Sequence, residues 1–333
     1  MNRVTICGGG SLGHVCIGVL SSQEGLSVGL LTSHPEKWNE EISVVDVNGK
    51  VFRGHLDAIS SKPQEVIPDA DVVLLCMPGF LIKQTLEQIK PFLSDKTIVG
   101  SIVSSTGFFF FAHDVLGVNA KLFGFQRVPF IARVAEYGKS ANLLGYKASL
   151  NVAVENVADR EGFRAFVEKS FCTPVSLLQS FYEACLTNSN PILHTGRLYS
   201  MWHDWDGTPY NRCILFYKEW TEDAAQWLID MDAEFMNLLE KLPMNQKAVP
   251  SLLEYYESTD AKSLSAKLRS IKAFESIKAP MKEVAGGWVP DFESRYFTED
   301  FPYGLRFIVD LARKYGVETP KIDVVYNWGL SIC

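Results

Sequence analysis

Cys7-Gly8-Gly9-Gly10-Ser11-Leu12-Gly13 is the stretch whose reading decides the fold. It follows the β-branched run Val4-Thr5-Ile6 and leads into residues 12–22, which read as a helix. Gly8, Gly10 and Gly13 satisfy G-x-G-x-x-G at this strand–turn–helix junction. Gly8 suits a tight turn, Gly10 a close approach of backbone to a diphosphate, and Gly13 close helix–strand packing. A diphosphate there would rest on the free amides and positive end of the helix, with Ser11 and Leu12 supplying the first of them. The expected ligand is a dinucleotide.

Working outward, the first half alternates short apolar runs with amphipathic segments. Residues 4–7, 28–32, 72–77, 97–103 and 121–125 read as strands, several apolar on both faces, as in a parallel sheet covered on both sides. Residues 12–22, 82–90 and 108–116 fit as the intervening helices. Asn48-Gly49 marks a two-residue hairpin turn. Residues 148–154, 160–170 and 174–178 supply one more strand–helix–strand passage. Strand signals stop after about Ser180, and apolar positions recur at three and four along residues 218–242. The expected fold is α/β: an N-terminal Rossmann-type, mostly parallel sheet over 1–179 and a C-terminal all-α domain over 180–333.

Length agrees, since 333 residues suit two domains at about 150 residues each. Charged residues at 21% exclude a disordered or coiled-coil chain. The 32 basic against 39 acidic residues give a net charge of −7, which disfavours a general nucleic-acid binder. The seven cysteines form no Cys-x-x-Cys pair and read as buried free thiols, Cys333 among them. Neither a signal peptide nor an apolar run long enough to span a bilayer is visible, so a cytoplasmic protein is expected.

At the end of the second strand an NAD site places Asp or Glu for the ribose 2′-hydroxyl. Here Thr32-Ser33-His34-Pro35-Glu36-Lys37 offers hydroxyls, an imidazole and a lysine, so Ser33 and Lys37 tilt the expectation from NAD toward NADP. Met77 and Pro78, and Ser104-Ser105-Thr106-Gly107, end two further strands where cofactor walls stand. No metal site is expected. Asp230, Asp232 and Glu234 lack a calcium-loop glycine and read as a solvated helix face.

The second half carries Asn190-Pro191-Ile192-Leu193-His194 and, much later, Arg295-Tyr296-Phe297-Thr298-Glu299-Asp300-Phe301-Pro302-Tyr303-Gly304-Leu305. With the glycine loop and Gln126-Arg127-Val128-Pro129-Phe130-Ile131-Ala132-Arg133, these segments resemble the octopine/nopaline (opine) dehydrogenase family over nearly the whole chain. Enzymes of that family join an α-keto acid to the amino group of an amino acid and reduce the imine with a nicotinamide hydride. The resemblance implies His194 as catalytic histidine, Asp300 as its carboxylate partner, Arg295 on a substrate carboxylate and Gln126 on the keto acid. It implies small-molecule partners, no nucleic acid and no membrane; the oligomeric state, a homodimer included, stays open.

The chemistry of these residue types agrees. Reducing C=O or C=N needs hydride on one atom and a proton for the other, and histidine exchanges protons near neutral pH. A carboxylate fixes which ring nitrogen faces the substrate, and an arginine fork grips a carboxylate bidentately. Other local roles exist: Asp300 stands where a cap precedes a Pro-initiated helix, and Arg295 suits a surface ion pair. Tyr199, Trp202 and Trp205 read as an aromatic loop over the substrate. Two alternatives remain at this level: a carbonyl-reducing enzyme of the glycerol-3-phosphate or ketopantoate type, and a dinucleotide sensor without turnover. The former usually employs a catalytic lysine, and no comparable lysine motif is visible here.

Overall fold

β1 (Arg3–Cys7) is buried at every position after its first, which requires cover on both faces. The computed structural model describes residues 1–332, the Thr106 side chain excepted, and Cys333 lies outside the described residues. The chain divides into two compact units, Met1–Thr187 and Asn188–Cys333. An end near 179 was expected for the first; α6 (Phe181–Cys185) packs on β11 (Leu150–Glu155) and extends that unit.

In the first unit β2 (Ser27–Leu31), β5 (Ala58–Ser60), β6 (Val72–Leu75), β7 (Ile98–Ser101), β8 (Leu122–Phe125) and β12 (Val175–Leu177) join β1 and β11. Their order is β12-β11-β8-β7-β6-β1-β2-β5. Every pairing is parallel except that between β11 and β8. The strand order reverses across β1, which puts the glycine loop at a topological switch point. Helices α1 (Ser11–Ser21), α2 (Pro63–Val66), α3 (Gly79–Ile89), α4 (Phe108–Leu116) and α5 (Arg160–Phe171) complete the α/β unit.

A second sheet, unforeseen from sequence, packs on α1. Its order is β4-β3-β10-β9, from β3 (Glu41–Asp46), β4 (Val51–His55), β9 (Phe130–Glu136) and β10 (Ser140–Tyr146). The Asn48-Gly49 turn does join β3 and β4 as an antiparallel hairpin, with Gly49 at φ +82°. Covered from both sides, α1 is buried continuously from Gly13 to Leu20, as its nearly all-apolar sequence demands. A Cβ on Gly18 would lie 2.3 Å from Val44 Cγ2, so glycine lets β3 close on the helix.

The second unit is helical: α7 (Asn190–Trp202), α8 (Glu222–Leu239), α9 (Leu252–Tyr255), α10 (Ala261–Ser270), α11 (Arg295–Thr298), α12 (Arg306–Tyr315) and α13 (Pro320–Ile332). A π-type turn, Phe301–Leu305, precedes α12. Two expectations are corrected here. Strands do not stop after Ser180, because β13 (Met281–Val284) and β14 (Gly287–Pro290) form a small hairpin. The helix expected from residue 218 begins at Glu222, where the Thr221 side chain caps it by accepting from Ala224 N at 3.1 Å.

The acidic trio of α8 is not simply a solvated face. Asp232 is buried and accepts from Leu252 N at 2.7 Å, and burial pushes its carboxyl up to about 6. Glu234 accepts from Lys321 N and Ile322 N, capping α13. Asp230 is half-buried, accepting from Gln226 at 2.7 Å with Lys321 3.7 Å away. Among the described residues no group of acidic, histidine and cysteine side chains is placed to hold a metal, and no helix is long and apolar enough to cross a membrane. The described cysteines are free; Cys7, Cys16, Cys76 and Cys185 are buried, whereas Cys172 is exposed and Cys213 partly so.

Candidate active site

The glycine loop explains its own composition. Gly8 takes φ +117°, and a Cβ there would sit 2.5 Å from Cys76 O. A Cβ on Gly13 would sit 2.1 Å from Gly8 O. Packing therefore requires both glycines. Gly10 differs: a Cβ would meet nothing within 4 Å, so protein packing does not explain it. It stands at the N-terminus of α1, which has no side-chain cap and no acidic residue in its first turn. Open space beside uncapped amides fits a diphosphate, so these residues suit a dinucleotide. Leu12 is partly buried, and Ser11 Oγ accepts from Val134 N at 3.2 Å, tying the loop to β9.

Beyond β2, Ser33 and Lys37 are exposed, Lys37 on the short Pro35–Lys37 turn, while Glu36 lies 3.4 Å from His34. Met77 and Pro78 follow β6; Met77 Sδ accepts from Thr85 at 3.2 Å and Pro78 precedes α3. A group missed from sequence stands behind the loop. His14 Nδ1 donates to Gly10 O at 2.9 Å, and its Nε2 accepts from Gly138 N at 2.7 Å. Trp38 and Tyr137 pack on the same imidazole, at 4.2 and 5.0 Å between ring centres. Burial lowers the His14 pKa below its ordinary 6.5. The hairpin tip between β9 and β10 is thus fastened to the cradle.

Gln126 is differently occupied from the expectation. Its amide donates to Thr187 Oγ1 at 2.9 Å and Glu183 O at 3.2 Å, and its carbonyl accepts from Asn151 at 2.9 Å. Both ends of the side chain serve to tie the start of the 126–133 segment to α6 and β11. Arg133 is exposed on β9.

In the second unit the two quoted motifs meet. His194 Nδ1 lies 2.8 Å from Asp300 Oδ2, with side chains 12% and 19% exposed. Gly304 makes this possible: a Cβ there would sit 2.7 Å from Pro191 Cγ, so only glycine lets the π-type turn close on the first turn of α7. Asp300 precedes that turn without capping it through its side chain, which is directed to His194 instead. The imidazole packs tilted, at 45°, against Tyr296 with ring centres 4.6 Å apart, and meets Phe216 edge-on at 5.6 Å. Its Nε2 lies 3.1 Å from Tyr217 Oη.

Arg295 is the outlier. Its side chain is 79% exposed, and the fork is closed on Glu299 by two 2.8 Å hydrogen bonds. The surface ion-pair role is the one seen. Nor do the three aromatics form a loop: Tyr199 and Trp202 belong to α7, and Trp202 is buried against Phe292 and Phe297, with Trp205 also against Phe292. Tyr217 was missed because it lies outside regular structure in a run, Ile214-Leu215-Phe216-Tyr217, that looks like core.

Comparison with known proteins bears on both units. Residues 177–333 match the family described as NAD/NADP octopine/nopaline dehydrogenase, alpha-helical domain, and residues 4–105 match ketopantoate reductase. The chain is 28% identical to an opine dehydrogenase of Haliotis discus hannai, over 98% of this chain and 88% of that one. It is equally 28% identical to a tauropine dehydrogenase of Arabella iricolor, over 99% and 91%. Its fold is similar to octopine dehydrogenase solved with NADH and L-arginine, at a TM-score of 0.87 and 26% identity, covering 99% of this chain and 89% of that one. A second structure of octopine dehydrogenase, with NADH and pyruvate, matches at 0.86 and 25%, with the same coverage.

Proposed function

We infer that this chain, whose residues 177–333 match the octopine/nopaline dehydrogenase helical domain, is an opine dehydrogenase using a nicotinamide dinucleotide. It joins an α-keto acid of the pyruvate kind to the amino group of an amino acid and reduces the product to a secondary amine. The observation that carries this reading is the 2.8 Å contact of His194 with Asp300 on the two motifs that Gly304 and Pro191 lock together.

The reduced dinucleotide, when bound, supplies the hydride. Gly8, Gly10, Ser11, Leu12 and Gly13 would hold its diphosphate, with Met77 and Pro78 as a wall of the site. The exposed Lys37 and Ser33, with no carboxylate ending β2, support NADP(H) over NAD(H).

Asp300 accepts the Nδ1 proton of His194, which leaves Nε2 as the nitrogen that exchanges a proton. Neutral, Nε2 takes a proton from the substrate ammonium and frees the amine to attack the keto carbon. Charged, it returns that proton to the hydroxyl that departs as water when the C=N bond forms. Arg295 can receive a substrate carboxylate by exchanging Glu299 for it, a like-for-like swap of one bidentate partner. Gln126, with both ends of its side chain engaged by protein, takes no part in this chemistry.

The test is oxidation of NADPH and NADH with pyruvate, with and without a panel of amino acids. Turnover that requires the amine is expected. Turnover without it would favour the carbonyl-reducing alternative that the match of residues 4–105 to ketopantoate reductase brings forward. Dinucleotide binding without turnover would favour a sensor.

A further inference from the structure

Both ring nitrogens of His194 are engaged within the second unit, Nδ1 by Asp300 and Nε2 by Tyr217. In the reaction proposed above Nε2 gains and loses a proton, so the group resting on it must tolerate both states. A phenol does. Its O–H donates to the lone pair of a neutral ring, and its oxygen accepts from the N–H of a charged one. A carboxylate or a main-chain amide would serve one state only. Tyr217 is 7% exposed and packed at 4.4 Å on Phe274 and 5.9 Å on Trp220, so its hydroxyl is an enclosed partner.

No helix or strand fixes Tyr217; a buried arginine does. Arg197 lies one turn beyond His194 on α7 and is 3% exposed. It donates from Nε to Phe216 O at 3.3 Å and from Nη2 to Glu219 O at 2.8 Å, carbonyls on either side of Tyr217. Its guanidinium also lies 5.2 Å from the centre of the Trp220 ring. Burial pulls it down to about 10. The Glu219 carboxylate is taken by Arg212 at 2.6 and 2.7 Å and by Leu215 N at 2.7 Å, so Arg197 holds main chain. A buried charge is costly, and here it returns geometry. One helix thus carries the histidine and the anchor of the residue that meets it.

We propose that Tyr217, clamped by Arg197, is a positioning residue for His194, reversing its hydrogen bond as the ring gains and loses a proton. Because Nε2 has one in-plane position, the Tyr217 hydroxyl holds the neutral ring before the proton arrives and the charged ring while it waits, and cedes that position to the substrate during each transfer; the phenol keeps its own proton throughout. This rests on the reductive condensation proposed above. The groups facing the imidazole are Asp300, Tyr217, Tyr296 and Phe216. Tyr296, Tyr256 and Asp300 act electrostatically on Tyr217, and Asp300 also on Tyr296 and Arg295.

Tyr217→Phe in the full chain keeps the ring and removes the hydroxyl. We expect kcat to fall about 10- to 100-fold, the effect of losing a hydrogen bond to a charged group, with KM for pyruvate and dinucleotide affinity unchanged. The second readout is 15N NMR of the histidine rings across pH, without substrate, in a chain of six histidines. In the wild type the neutral His194 ring should be a single Nδ1–H tautomer with a hydrogen-bonded Nε2. In the variant the Nε2 resonance of the neutral ring should move toward that of an unbonded ring nitrogen, because the phenol that donates to it is gone. Wild-type kcat or an unmoved Nε2 resonance in the folded variant, or a mixed tautomer in the wild type, overturns the proposal. The NMR arm needs no turnover, so a wild type inactive with every amine would remove the proposed function without deciding the role of Tyr217.

Discussion

His194 and Asp300 stand 106 residues apart in sequence and 2.8 Å apart in space. The pair is partly buried, and each group limits what the other can do. Asp300 holds one tautomer of the imidazole, and the imidazole gives a carboxylate in a mostly apolar neighbourhood its partner.

The two should therefore act as a unit. His194→Ala and Asp300→Asn should each lower kcat by about 10²–10⁴ while dinucleotide affinity stays unchanged. The double variant should be little worse than the weaker single one, since removing either disables the same proton transfer. Steady-state rates and a fluorescence titration of dinucleotide check this; additive losses would separate the two residues.

Gly10 and Gly13 should part company. Gly13→Ala drives a Cβ into Gly8 O and should cost about 1–3 kcal/mol of stability, seen as a lower melting temperature. Gly10→Ala has open space and an ordinary φ of −79°, so stability should change by less than about 0.5 kcal/mol. Dinucleotide affinity should nonetheless fall by about tenfold or more, because the methyl group keeps the diphosphate from the helix amides.

Gly304→Ala tests what brings the motifs together. The added methyl would meet Pro191 Cγ at 2.7 Å, and relief requires the 301–305 turn to move off α7. A loss of about 1–3 kcal/mol is expected, with kcat reduced through a displaced Asp300. Unchanged melting and rate would show that the turn yields without moving the carboxylate.

His14 gives the cradle a pH dependence. Its pKa is lowered by burial, so below its ordinary 6.5 the folded chain binds fewer protons than the unfolded one. The stability it contributes is present above that pH and is lost as pH falls through 6.5 toward the folded value. Protonation at Nε2 also abolishes its bond from Gly138 N. Urea melts and dinucleotide titrations from about pH 7.5 down to about pH 5 should weaken together. His14→Gln should flatten that part of both curves.

Sequence reading went furthest where a signal is local. The glycine loop, the apolar runs of β1, β6, β7 and β8, and the Asn48-Gly49 turn each write their geometry within a few residues. β9 and β10, seven residues each, escaped because half-exposed strands with mixed side chains look like loop until a partner strand is present. His194 and Asp300 were legible as motif residues, through resemblance to a family.

By itself, then, the sequence determined a dinucleotide cradle at the head of an α/β unit and nominated a histidine and a carboxylate. Tertiary structure alone decided the rest: Arg295 pairs with Glu299, Gln126 braces α6, and Tyr217 closes on Nε2 under the grip of Arg197. The reason is physical. Backbone conformation answers to neighbours within a turn or two, and leaves a periodicity or a glycine as its record. A side chain's hydrogen-bond partner is chosen by packing between distant segments, where an exposed fork and a buried one carry the same letter.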